Sequence, residues 1–111
     1  MNYIPKRGDI VWLNFDPQTG HEQAGRRPAL VLSPEIYNEK VGLAIFCPIM
    51  SRSKSYRFEV KIPANLKVKG VILSDQIKNF DWRNREAKYI CRIPKETLED
   101  IVEKLDTLIK I

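Results

Sequence analysis

The polar segment spanning residues 16–28 contains the side chains most capable of chemistry. It reads D-P-Q-T-G-H-E-Q-A-G-R-R-P and places the imidazole of His21, the carboxylate of Glu22, the amide of Gln23 and two guanidinium groups around two glycines. Loops held between rigid strands are where binding and catalytic residues concentrate. The segment is therefore a candidate active-site loop, and the alternative is a long polar hairpin loop with a chance density of charge.

These side chains match the requirements for cleaving RNA. The substrate carries its own nucleophile, the 2′-hydroxyl, so the protein must remove that proton, stabilise the negative charge that builds up around phosphorus and help the 5′-oxygen leave. Glu22 is suited to the role of general base. Arg27 offers several fixed donors to phosphate oxygens, keeps its charge, and could bring a proton donor close to the leaving oxygen. This chemistry needs neither a metal nor a cofactor, and we expect neither.

Short strands must position this loop. Residues 9–15 (D-I-V-W-L-N-F) predict a β-strand buried on both faces, and residues 28–33 predict a second strand after the loop. Residues 41–49 carry no charge, which predicts a central strand. Residues 56–62 alternate polar and apolar side chains as a half-exposed antiparallel strand does. Further short strands are expected at 70–74 and 87–93, and a helical turn at 34–38.

The last residues of the chain have a different pattern. Over residues 95–110 apolar side chains recur at helical spacing, with acidic residues early and Lys110 late, which suits the dipole of a helix. Five or six short strands followed by one helix predict a mainly β fold, a small and strongly bent antiparallel barrel with its working loops at one rim. We expect residues 1–111 to form one domain with a core of its own.

The charge balance suggests a polyanionic partner. The net charge is +5, and residues 52–69 contain six basic side chains against Glu59 alone. Charge does not separate RNA, DNA and acidic protein, and a solvated surface is the alternative. No apolar run approaches the length of a membrane-spanning helix, and the N-terminus does not resemble a signal peptide. We therefore expect a cytoplasmic protein.

The two cysteines fit that location. Cys47 and Cys91 are far apart and show no C-x-x-C spacing, which indicates reduced, buried thiols. A catalytic thiol would need the single histidine, His21, to meet it in space. The ligand set is too small for a zinc site.

The motif around the loop resembles a known family. The run G-D-I-V-W-L-N-F-D-P-Q-T-G-H-E-Q-A-G-R-R-P-A-L-V-L-S, residues 8–33, is similar to the N-terminal signature of the MazF/PemK toxins. Further matches follow in register at 47–49 (C-P-I), 54–60 (K-x-Y-x-F-E-V), 70–73 (G-V-I-L) and 74–78 (S-D-Q-I-K), and in the closing helix. The resemblance runs from residue 8 to the C-terminus.

The resemblance implies a fold and an activity. The fold would be an SH3-like barrel with a terminal helix, of the CcdB/MazF-like type, acting as a homodimer that holds single-stranded RNA in the groove between subunits. The activity would be that of a metal-independent, sequence-specific endoribonuclease toxin, an mRNA interferase, leaving 2′,3′-cyclic phosphate and 5′-hydroxyl ends. A cognate MazE-like antitoxin with an acidic C-terminal tail would cover the groove.

The resemblance also assigns roles to residues. Arg27 matches the family's main catalytic arginine and Glu22 its loop glutamate, while Gln23, Gly20 and Gly25 match positions that shape the phosphate site. Contacts to RNA are expected from a larger basic and polar set: His21, Gln23, Met50, Arg52, Lys54, Arg57 and Gln76.

Met50 departs from the family pattern. Relatives carry a threonine there, whose hydroxyl helps to hold the scissile phosphate, and a thioether cannot donate a hydrogen bond. Three explanations are open. Ser51 takes the catalytic role if a bulge turns it inward, the register slips by one residue, or the site is weakened, in nature or by deliberate substitution.

Two other functions are compatible with parts of the sequence. A gyrase poison like CcdB would use the same barrel to bind protein, yet it would not need the loop that ends in Arg27. A catalytically impaired RNA-binding relative would keep Arg27 and the basic rim without cleavage. Of the two tryptophans, we expect Trp12 in the core because it lies in a strand, and Trp82 exposed among arginines, where it could stack on bases.

Overall fold

The computed structural model describes residues 3–15 and 25–111. Their helices and strands follow the chain in this order: β1 Asp9–Asn14, β2 Arg26–Val31, α1 Glu35–Val41, β3 Leu43–Met50, β4 Glu59–Lys61, β5 Val71–Leu73, β6 Lys78–Asp81, β7 Lys88–Arg92 and α2 Lys95–Ile109. The predicted class, mainly antiparallel β with a C-terminal helix, is confirmed.

β3 organises the sheet. The strand order is β4-β5-β3-β2-β1-β7, and every pairing is antiparallel. β3 pairs with β2 through its middle, with β6 through its first half and with β5 through its last two residues, Ile49 and Met50. A strand shared among three partners bends the sheet as a small barrel requires, although no strand pair joins β4 to β7 within the described residues.

The sheet separates two hydrophobic clusters. One contains Ile10, Leu30, Cys47 and Ile72 and is covered by Ile101 of α2. The other, on the opposite face of β1, β2 and β3, contains Val11, Leu13, Ala29 and Phe46, together with Trp82. Burial on both faces explains why these three strands are nearly continuous apolar runs, as strands of this kind must be.

The helices follow the sequence signals. α1 extends further than the single turn expected, and it ends at Gly42, whose φ of 80° lets its N–H donate to the carbonyl of Asn38. α2 agrees with the predicted helix and buries Ile101. Among residues 3–15 and 25–111, neither helix has the length and apolar character that crossing a membrane takes.

Both tryptophan predictions were wrong. Trp12 lies in β1 as expected, but 41% of it is exposed, and its cross-strand neighbours are the half-buried Pro28 and the exposed Lys88. Trp82 is 3% exposed within the second hydrophobic cluster, and its indole N–H donates to the backbone carbonyl of Asn38 at 2.9 Å. A buried tryptophan needs such an acceptor. The acceptor lies 44 residues away in sequence, so the local sequence around Trp82 gives no sign of it.

Candidate active site

Arg27 lies on β2, next to the segment that begins after Phe15. It is opposite Leu13 of β1, and residues directly opposite in an antiparallel pair point to the same face. Val31, Ala29 and Arg27 therefore form one row, whose first two members are buried and whose last is exposed. The row thus begins in the hydrophobic cluster that contains Val31 and Ala29, and Arg27 lies at its exposed end, near the start of β2.

Arg26 provides a contrast within the same strand. Its side chain belongs to the other face, because successive residues of a strand alternate. There its Nη2 donates to the backbone carbonyl of Glu86 at 2.7 Å. Two adjacent arginines are thus separated by the sheet, and Arg27 alone shares a face with the end of β3.

Met50 ends β3 on the face that Arg27 occupies. The β2–β3 register pairs Ala29 with Pro48, and the same register continued by two residues brings Arg27 opposite Met50. Met50 itself is paired with Val71 of β5. Met50 is thus regularly paired at the end of β3, and Ser51 follows it outside the strand.

Met50 opens into a cavity that we call the first cavity. Its volume is about 460 Å³, and it is lined by residues from the end of β3, the following segment, β4, β5 and the turn after β5: Met50, Arg52, Lys54, Ser55, Tyr56, Glu59, Leu73 and Gln76. Four of these, Met50, Arg52, Lys54 and Gln76, were predicted from sequence to contact RNA. The structure brings them together although the last is far along the chain.

Glu59 folds the segment 51–58 around its carboxylate. Ser53 Oγ donates to Oε1 at 2.6 Å, and the backbone N–H of Lys54 donates to Oε2 at 2.8 Å. The N–H of Ser55 in turn donates to Ser53 Oγ at 3.1 Å. The hydrogen bonds from Ser53 and Lys54 lower the pKa of Glu59, because they stabilise the charged form. The carboxylate therefore holds in place the backbone that carries Arg52 and Lys54.

Tyr56 ties the same segment to the turn after β5. Its hydroxyl donates to Oδ2 of Asp75, and its ring lies 5.7 Å from that of Phe58, between centroids. This hydrogen bond raises the pKa of Tyr56. The turn bonded to Tyr56 is the one that presents Gln76, so the two walls of the first cavity are joined.

Gly70 lies against the end of β3 from the other side. Its φ is +121°, and a Cβ there would meet the Met50 carbonyl oxygen at 2.0 Å and Ser51 Cα at 3.1 Å. Only glycine allows both this backbone conformation and this close approach. Met50 and Ser51 are thereby fixed at the edge of the cavity.

Ser51 faces a neighbouring cavity, which we call the second cavity. It measures about 560 Å³, and Ser51 and Ser53 line it together with Lys61, Lys69 and other residues of β4 and the β4–β5 connection. Met50 and Ser51 are thus consecutive residues that border different cavities. Tyr56 and Glu59 line both and form the ridge between them.

Five predicted site residues are not among the described residues that line either cavity. Arg27 on β2 and Arg57 in the segment 51–58 are exposed but line neither cavity. His21, Glu22 and Gln23 lie outside the described residues. No group of three or more metal-ligating side chains is found in the part of the chain that the structure describes.

The cysteines are free, as expected. Cys47 is fully buried, and burial, assisted by the charge of Asp75, raises the pKa of its thiol to about 12. At neutral pH this thiol is protonated and unreactive. Cys91 is half-buried, so only one of the two cysteines has the predicted full burial.

Tyr56 and Glu59 line the first cavity but were not predicted from the sequence as site residues. Each interrupts the basic run of residues 52–69, and Glu59 is its one acidic residue. That isolation was a usable signal, because a lone carboxylate in a basic segment suggests an internal hydrogen-bonding role.

The comparisons with known proteins agree on one family. Residues 6–109 match the family described as PemK-like, MazF-like toxin of type II toxin-antitoxin system. Endoribonuclease toxin MazF of Escherichia coli (strain K12) is 44% identical over 107 residues, covering 96% of each chain.

Solved structures give the same result. A crystal structure of MazF from Deinococcus radiodurans matches with a TM-score of 0.95 and 50% identity, over 99% of this chain and 100% of that chain. A crystal structure of MazE-MazF from the same organism matches with a TM-score of 0.89 and 44% identity, over 99% of each chain. With the family matched from residue 6 to residue 109, the chain belongs to the PemK-like, MazF-like toxins of type II toxin–antitoxin systems.

Proposed function

We propose that this chain is a metal-independent endoribonuclease toxin that cuts single-stranded RNA at a short recurring sequence. The observation that carries the proposal is the first cavity, where Met50, Arg52, Lys54 and Gln76 meet beside the face of β2 that presents Arg27. A relative 44% identical across nearly the whole chain is named an endoribonuclease, which supports the same activity.

The proposed reaction is an internal transfer at phosphorus. The 2′-oxygen attacks the adjacent phosphate, the bond between phosphorus and the 5′-oxygen breaks, and the products carry a 2′,3′-cyclic phosphate and a 5′-hydroxyl. Glu22 accepts the proton of the 2′-hydroxyl, and a proton reaches the leaving 5′-oxygen from a donor beside Arg27. Arg27 stabilises the charge on the phosphate oxygens with its fixed donors.

The remaining residues would hold the substrate. Arg52 and Lys54 are exposed cations in or next to the first cavity, suited to phosphate oxygens, and Gln76 offers both donors and acceptors to a base edge. Arg57, His21 and Gln23 would contact RNA nearby. Ser51 would supply a hydroxyl from the neighbouring cavity, one residue beyond Met50.

The proposed working unit is a homodimer of 1–111 toxin domains in the cytoplasm, with RNA in the groove between subunits. Exposed apolar side chains on α2, including Val102, Leu108 and Ile109, support a second copy or partner on this helix. A MazE-like antitoxin with an acidic tail is proposed as the inhibitor, since the net charge of +5 attracts an acidic segment.

Met50 favours one second candidate, a catalytically impaired relative that binds RNA without cutting it. A thioether cannot donate a hydrogen bond where the resemblance places a hydroxyl. In this case the basic rim keeps its affinity for RNA while the rate of cleavage falls.

The test is incubation of the purified protein with a long single-stranded RNA in EDTA, beside DNA of the same sequence. We expect cuts at a short recurring sequence in the RNA alone, with cyclic-phosphate and 5′-hydroxyl ends. RNA binding without cutting would support the impaired relative. Neither binding nor cutting would reject both candidates.

A further inference from the structure

Apart from Ser51, no residue that lines the second cavity has a part in the reaction described above. This cavity measures about 560 Å³ and shares the ridge of Tyr56 and Glu59 with the first cavity. Lys61 shares a face of the sheet with the reactive edge, because Lys61 is paired with Val71 and Val71 with Met50. A path across the sheet therefore leads from Arg27 past Met50 to Lys61.

The lining of this cavity suits a nucleotide. Lys61 is an exposed cation, and the ammonium group of Lys69 donates to the backbone carbonyl of Ala64, which keeps it at the cavity wall. Ser51 and Ser53 add hydroxyls, while Val71 and Ile62 add an apolar floor. Cations for phosphate, hydroxyls for polar edges and an apolar surface for a base are the parts of a nucleotide site.

Tyr56 is the aromatic residue at the junction. It borders both cavities and is 46% exposed. Its hydroxyl is held by Asp75 and its ring is packed beside Phe58, so the ring is fixed before any ligand arrives. Fixed and exposed aromatic rings stack on bases of single-stranded nucleic acid with little regard to sequence.

We propose that the second cavity is an additional nucleotide-binding subsite, in which Lys61 and Lys69 contact the phosphates of RNA flanking the cut and Tyr56 stacks on a base between the two cavities. The inference rests on the proposed function, because it assumes that RNA occupies the first cavity.

The experiment measures binding of a long 2′-O-methyl RNA, which has no free nucleophile, as a function of salt concentration. Each lost phosphate contact lowers the slope of log Kd against log salt by roughly 0.7 for a single strand, so Lys61→Gln with Lys69→Gln should lower it by about 1.4. The matched control is Lys40→Gln with Lys88→Gln, which removes the same charge from α1 and β7 and should leave the slope unchanged.

A second pair of variants tests the ring. Tyr56→Ala should weaken binding by roughly 5- to 150-fold, whereas Tyr56→Phe, which keeps the ring, should stay within a few-fold. Circular dichroism and thermal melting check that every variant is folded.

The outcomes separate the subsite from the proposed function. Cleavage by the unsubstituted protein, with equal slopes in the two double-lysine variants, overturns the subsite and leaves the function standing. Binding without cleavage, with the lower slope in the Lys61 and Lys69 variant, supports the subsite and rejects the function. No binding by the unsubstituted protein overturns both.

Discussion

At the scale of residues, the strand position of Arg27 decides which face of the sheet its charge occupies. Arg26 and Arg27 are adjacent and identical in type, yet one donates to a backbone carbonyl across the sheet and the other shares a face with Met50. Alternation along a strand fixes this difference. The sequence predicts both arginines near the site, but the face each occupies becomes certain only when the strand register is known.

Met50 is the residue on which the rate should depend. Met50→Thr should raise the rate of RNA cleavage by roughly 10- to 100-fold, because it restores a hydroxyl donor to a phosphate oxygen, and one aimed donor is worth about this much or more. The rate constant under single-turnover conditions is the measurement.

The control for this prediction is Met50→Val. Valine has the shape of threonine without its hydroxyl, so it separates the hydrogen bond from the change in volume. An equal gain from valine, or no gain from threonine, would show that the missing hydroxyl does not limit the reaction.

At the scale of elements, the sequence predicts the burial pattern of residues 59–62 but not the loop formed by segment 51–58. The alternation of residues 56–62 correctly predicts that Val60 and Ile62 are buried and that Glu59 and Lys61 lie on the other face. It does not predict that the strand begins only at Glu59, because Ser53 and Lys54 donate to that carboxylate and turn the preceding residues into a loop. β6 was missed for a similar reason, since Lys78–Asp81 has little strand character and pairs with β3 through tertiary contact.

Glu59→Gln should loosen this segment without disturbing the fold. The carboxylate accepts from Ser53 and Lys54 through different oxygens, whereas an amide has one oxygen and so loses one of these hydrogen bonds. RNA binding should therefore weaken several-fold, and KM should rise more than kcat falls. Hydrogen exchange should become faster for the amides of residues 53–55 and stay unchanged in α2.

The effect of pH has a definite sign here. The pKa of Glu59 is lowered in the folded protein. The contribution of its carboxylate to the stability of the folded state is therefore complete above the ordinary carboxyl pKa and is lost only as pH falls through the lowered value.

The control for Glu59→Gln is Glu39→Gln in α1, an exposed site with the same change of charge. Equal kinetic effects in the two variants would mean that Glu59 does not brace the segment.

At the scale of the whole molecule, Asp9 joins the beginning of the chain to its last strand. Its side chain is buried and accepts from the hydroxyl of Tyr3, from the N–H of Lys6 at 3.0 Å and from Nη1 of Arg92 at 2.9 Å. The aspartate of the G-D motif is therefore a structural residue. Its sequence neighbours suggest a signature, but only the fold reveals a partner 83 positions away.

Asp9→Asn should lower the free energy of unfolding by about 2–4 kcal/mol, because a buried carboxylate with three donors is replaced by an amide that cannot satisfy them all. For a domain of this size that corresponds to a fall in Tm of roughly 8–20 °C. Arg92→Gln, at the half-exposed partner, should cost only about 1 kcal/mol. Similar losses of unfolding free energy in the two variants would show that the buried Asp9 carboxylate is not the main source of this stabilisation.

We propose above that Arg27, at the edge shared by β2 and β3, carries metal-independent cleavage of RNA. The direct measurement compares the cleavage rates of the unsubstituted protein, Arg27→Ala and Arg26→Ala on the same single-stranded RNA in EDTA. We predict a loss on the order of 100-fold or more for Arg27→Ala, and a rate within a few-fold of the unsubstituted protein for Arg26→Ala. Equal losses in the two variants, or cleavage that stops when EDTA is added, would contradict the claim.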